Sequence, residues 1–248
     1  MLLDCESGLC GMLADVFSNE LIDFSQIYKG YHGPVSVLDC GEKCAPYNER
    51  AVPFCCDIQH TVPTLYDDEW EYLRKKTDLW YELKENEVIN FDSLKIDIPS
   101  DQILMACKGH HFCQREYRAI SCRAFPFFPY INRIGEFIGL SYYWEYEDRC
   151  WIISNLNAVT QEFINSTVTT FDLILDKFPS ERESFWFYST EMRKEFERKQ
   201  RAITLIHRNG YFCKISPKNG RLRKISNPKI QKYGPYKVAQ GLPFPDET

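Results

Sequence analysis

Apolar residues recur at helical spacing in four stretches of the chain and at strand spacing in several shorter ones. From Leu13 through Leu21 and Ile22 they fall at three- and four-residue intervals, which predicts a helix running to Gly30. A second helix is expected from Asp67 to about Leu83, with Trp70, Leu73, Thr77 and Trp80 near one face and Asp67, Asp68 and Glu69 in its first turn. Val159, Phe163, Val168, Phe171, Leu175 and Phe178 outline a third over 158–178, closed by Pro179. Ser180 with Glu183 three positions later reads as a capping box opening a fourth, through about Lys199.

Strand-like runs occupy 94–98, 102–106 and 124–143, the last turning back through Ile131 to Gly135. Three more are expected at 202–206, 211–215 and 221–225, separated by Asn209-Gly210 and Asn219-Gly220, residues that tolerate the positive φ of tight hairpins. Residues 31–63 show neither period. They carry six glycines and prolines and four cysteines, as expected where a bound group replaces part of a hydrophobic core. The resulting expectation is an α+β fold. An irregular, cysteine-rich, metal-centred core is flanked by amphipathic helices, with a small C-terminal antiparallel hairpin sheet. Four regions are expected: a helical segment (1–33), a cysteine-cluster domain (34–157), a helical segment packed on it (158–200) and a basic β-hairpin extension (201–248).

Composition adds one large fact. There are eleven cysteines in 248 residues, and seven of them stand between Cys40 and Cys122. Disulfide scaffolds belong to small exported domains. This chain is long, lacks a leader-like apolar segment behind a positive start, and holds an odd number of thiols. No run of about 18–20 apolar residues occurs, so no membrane span is expected. A reducing cytoplasm follows, and in it clustered thiolates are metal ligands or redox groups. Cys40, Cys44, Cys55, Cys56, Cys107, Cys113 and Cys122, joined by Cys150, form the candidate ligand set. Four thiolates suit one zinc ion or one cubane cluster. Adjacent residues rarely ligate one tetrahedral ion together, so Cys55 and Cys56 are expected to part company.

The order of these motifs resembles the YkgJ-type cysteine-cluster family, a zinc- or iron-chelating domain. Cys40, Cys44, Cys55 and Cys56 match its opening group, and Thr64 and Glu69 stand near its threonine–glutamate helix signature. Cys107, Cys113 and Cys122-Arg123-Ala124-Phe125-Pro126-Phe127 match its closing group, and Cys150 takes the place of a later cysteine. The likeness spans roughly residues 36–155. It departs in the ten residues between Cys44 and Cys55, where the family has about two, and at Tyr117-Arg118-Ala119, where the family has an Arg-Pro step. Flagellin lysine methylases contain a similar cysteine region. The resemblance implies bound metal, and the expectation is an iron–sulfur cluster, [4Fe-4S], with a redox or enzymatic role. The alternative is structural zinc.

Around those thiols, Arg123 is expected to offset thiolate charge by hydrogen bonding to sulfur, as a cofactor-binding residue. Phe112, Phe125, Phe127 and Phe128 would exclude water or, more simply, fill a strand's core side. His60, His110 and His111 are secondary ligand candidates, Cys213 a core residue, and Cys5 and Cys10 a separate pair. No P-loop, G-x-G-x-x-G, H-E-x-x-H or G-x-S-x-G motif occurs, so no reaction is assigned. Charge is uneven: between Arg193 and Lys237 fourteen Lys and Arg face only Glu195 and Glu197, in a chain of net charge −5. Such a tail either meets an acidic partner or folds onto the chain's own acidic half. Nucleic-acid contact through 193–237 is the lesser reading because the whole chain is acidic.

Overall fold

The computed structural model describes residues 22–88, 98–226 and 231–237. Seven helices and eight strands fall in these residues. The helices are α1 (Phe24–Gly30), α2 (Cys40–Cys44), α3 (Asp67–Leu73), α4 (Ile120–Ala124), α5 (Trp151–Ser154), α6 (Gln161–Lys177) and α7 (Pro179–Arg198). The strands make two antiparallel sheets. In the smaller, β3 (Gln102–Cys107) lies between β1 (Thr64–Tyr66) and β2 (Trp80–Glu82). The larger runs in sequence order through β4 (Phe127–Ile131), β5 (Phe137–Tyr142), β6 (Ile203–His207), β7 (Phe212–Ile215) and β8 (Leu222–Lys224).

The two long helices follow their periodicity. α6 buries Phe163, Ile164, Thr167, Val168, Phe171, Ile174 and Leu175 along one stripe, and the Thr160 hydroxyl caps it by accepting from the Phe163 N–H at 3.1 Å. α7 is polar over most of its surface and buries Met192, Arg193 and Phe196. Its start differs from expectation. Phe178 is the N-cap, with no side-chain hydrogen bond, and Pro179 is the first helical residue. Proline both ends α6 and opens α7, because its missing N–H is one of the first-turn orphans. Ser180 lies inside that turn and makes no capping box.

The second expected helix is shortened. α3 stops at Leu73, and the chain turns so that Trp80 enters β2 opposite Cys107. Trp80 is 5% exposed and its indole N–H reaches the Tyr117 carbonyl at 2.8 Å, so tertiary partners outweigh helical spacing here. The expected helix over 13–22 and most of the run at 94–98 lie outside the described residues.

The larger sheet has two covered faces. Phe128 and Tyr130 of β4, Ile203 and Leu205 of β6, and Cys213 and Ile215 of β7 pack under Met192 and Phe196 of α7. Phe127, Ile131, Leu140, Tyr142 and Ile206 face the main core with α1, α5 and α6. The C-terminal strands occur where expected, with Gly210 and Gly220 at φ +81° and +74° in their turns. They do not stand apart: Gly139 and Leu140 pair with His207 and Ile206, so they continue the central hairpin.

Candidate metal centre

Each candidate cysteine is delivered by a short, locally determined element. Asp39 caps α2 by accepting from the Gly41 N–H at 2.9 Å, and this single turn sets Cys40 and Cys44 on one face. Cys55 and Cys56 sit in a 3-10 turn with Phe54 buried beneath them, their sulfurs 4.0 Å apart. Cys107 ends β3, Cys113 follows the 3-10 turn His110–Phe112, and Cys122 is the middle residue of α4. Cys150 is the N-cap residue of α5, which packs against α2.

The insertion between Cys44 and Cys55 folds into its own loop. Asn48 donates to the Val52 carbonyl at 3.0 Å and to Asp57 at 3.1 Å, and Arg50 pairs with the same buried carboxylate. All nine described cysteines are free, and Cys213 is a core residue in β7, as expected. Cys5 and Cys10 lie outside the described residues.

The thiols influence one another across these segments. Burial pushes the Cys40 thiol up to about 11, with Cys44 adding to the shift, and burial also raises Cys150, with the charges of Cys40 and Cys44 as neighbours. Cys55 is raised by its bond to Cys56 and by burial, and Cys40 and Cys44 add to that. Burial also raises Cys122 and Cys107, each with Cys56 and Cys113 as charged neighbours. Cys56 moves the opposite way, down to about 7, because it shares a hydrogen bond with Cys55 and senses the charge of Arg118. The two vicinal thiols act chiefly on each other, and Cys44 also senses Cys56.

Arg118 is the cation of this region. Its Nε donates to Cys113 Sγ at 3.0 Å, and its charge also reaches Cys40, Cys56, Cys107 and Cys122. The sequence expectation placed that role on Arg123. Instead Arg123 donates to the carbonyls of Arg118, Tyr31 and Glu116 and lies over the Tyr28 ring at 4.5 Å. It fastens the 116–118 loop to α1 and so aims Arg118. In the chain Arg118 stands between Cys113 and Cys122.

Aromatic groups surround the thiols, but not all those expected. Phe127 and Phe128 are core residues of β4, Phe125 packs against Tyr146, and Phe112 is 67% exposed. Phe54, Trp151 and Tyr236 enclose Cys44 instead. His60 lies beside Phe54 and 3.9 Å from Asp57, and the His110 and His111 rings are tilted against each other with centroids 3.8 Å apart.

The residue chemistry suits a thiolate-bound group, in that the free thiols are partly or fully buried and a guanidinium lies beside one of them to balance charge. Among the described residues, no three His, Cys, Asp or Glu side chains are already spaced to hold a metal ion. No helix among them is long and apolar enough to cross a membrane. Compared with protein-family models, curated proteins and solved structures, the chain matches none.

Proposed function

We propose that this protein is a metalloprotein that holds an iron–sulfur cluster on its clustered cysteines, in a reducing compartment, for redox or enzymatic chemistry. The observation that supports the proposal is Arg118, whose Nε donates to Cys113 Sγ at 3.0 Å and whose charge also bears on Cys40, Cys56, Cys107 and Cys122. Buried thiols without a partner charge are costly as thiolates, and a bound metal removes that cost. Cys56, Cys107, Cys113 and Cys122 are the quartet assigned to the cluster, because Arg118 faces them and offsets the negative charge of a four-thiolate site. Arg123 supports the site from behind by holding the Arg118 carbonyl. Cys40, Cys44, Cys55 and Cys150 form a second set able to take metal.

Protein purified without oxygen is expected to be brown, to contain iron and acid-labile sulfide, and to bleach with dithionite. Cys107→Ser should lose that colour while keeping its far-ultraviolet circular dichroism. Colourless protein with stoichiometric zinc and no sulfide would refute the cluster and leave the structural-zinc reading.

The alternative role for the basic tail is weakened by where its charges go. Arg193 bonds Tyr130 and the Ile131 carbonyl inside the core, and Lys194, Arg198, Lys199, Arg201 and Arg208 pair with the chain's own carboxylates.

A further inference from the structure

A second site lies away from the cysteines, on the face of the larger sheet opposite α7. There a cavity of about 230 Å³ opens between β6, β7 and the segment around Tyr233. Its floor is a cross-strand pair, Thr204 opposite Lys214, with Tyr142 beside them on β5. Arg223 does not line the cavity but stands opposite Lys214 on the same face of the sheet, exposed on β8. Ile153 and Leu156 form an apolar wall, and Gln231 and Tyr233 complete the rim.

Two features of this row need explanation. Lys214 and Arg223 stand directly opposite each other on neighbouring strands, and like charges so placed repel. Neither has an ion pair or a side-chain hydrogen bond among the described residues. By contrast Lys224, on the other face, lies over the Tyr211 ring at 4.5 Å. The polar side chains around the cavity also divide. Arg201, Tyr142 and Tyr233 bond with one another and with Glu147, so the guanidinium charge of Arg201 is balanced by Glu147 at 2.7 Å. Lys214, Thr204 and Gln231 line the same space and make no side-chain hydrogen bond among the described residues. One side of the cavity is internally satisfied, and the other presents an uncompensated cation with neutral hydrogen-bonding groups.

We propose that this cavity binds a compact oxyanion, such as the phosphate group of a small phosphorylated molecule or a small polycarboxylate. The anion would bridge Lys214 and Arg223, accept from Thr204 and Gln231, and relieve the repulsion between the two cations. The volume lies below the roughly 300–1,000 Å³ of sites for drug-sized ligands, so the occupant is small. The site is independent of the cysteines and of whatever they hold.

The test is titration calorimetry of the full chain with inorganic phosphate, ribose 5-phosphate and citrate, at ionic strength held constant with chloride. Saturable one-to-one binding of at least one is expected, the tightest identifying the phosphate or carboxylate source. Lys214→Met should weaken it about tenfold or more, the usual effect of losing a charge-assisted hydrogen bond. Arg223→Gln, at an exposed position that tolerates change, should weaken it as well. Lys224→Met on the opposite face should leave it intact. Without ligand, Lys214→Met should melt no lower than the parent, because a like-charge pair is removed. Heats that only follow ionic strength, or Lys214→Met and Arg223→Gln both binding as tightly as the parent, would overturn the site.

Discussion

Glu69 is the buried residue on which α1, α3 and α4 meet. Its carboxylate accepts from the Tyr28 hydroxyl at 2.6 Å and from the Ile120 N–H at 2.7 Å, and its side chain closes back on the Tyr66 N–H. Burial nevertheless dominates and raises it from an ordinary 4.5 to about 7. Between those values the folded chain holds a proton that the unfolded chain has released. Stability from this group is complete below about pH 4.5 and is lost as the pH rises through about 7, by about 3 kcal/mol at most. Glu181, raised to about 7 by burial beside Tyr66, adds to the same slope. Urea midpoints measured across this window should fall for the parent and fall less for Glu69→Gln. An identical slope in the variant would place the pH dependence elsewhere.

At the level of elements, the pairing of β5 with β6 depends on one glycine. Gly139 has φ +154°, and a Cβ there would stand 2.3 Å from the Ile206 carbonyl oxygen and 2.8 Å from His207 Cα. Both obstacles are backbone, so no side chain can swing away. Gly139→Ala is expected to cost about 2–3 kcal/mol by overpacking and backbone strain, read as a lower urea midpoint. Local elements also decide the candidate metal centre. A capped single turn, two 3-10 turns and a strand end each deliver one or two thiols, and none of them is large enough to be stable without its neighbours.

For the whole molecule, the larger sheet ties together regions that the sequence pattern separates. Phe128 and Tyr130, from the cysteine-bearing region, share a core with Met192 and Phe196 of α7 and with Ile203, Leu205, Cys213 and Ile215 of the C-terminal strands. Removing residues 201–248 would expose the edge of β5 and uncover that core. Such a chain should fail to show the cooperative urea transition of the full protein by far-ultraviolet circular dichroism. A truncated chain that unfolds cooperatively at the parent midpoint would show that the cysteine region folds alone.

Period and turn chemistry made α6, α7 and the three C-terminal strands legible in the sequence, because each depends on local spacing or on Asn-Gly turns. The cysteine set was legible too, since residue type and order survive without coordinates. The end of α3 was not, because Trp80 answers to Tyr117 and Cys107, distant in sequence. Nor was the exchange of roles between Arg118 and Arg123, which turns on which guanidinium the Tyr31 and Glu116 carbonyls capture. The thiols that surround Cys55 and Cys56 depend on α2, α4 and β3 arriving from remote parts of the chain. The sequence by itself determined which chemistry is present: thiols, cations and apolar stripes. Tertiary structure decided which of them meet, because proximity between remote residues is set by packing and register rather than by spacing.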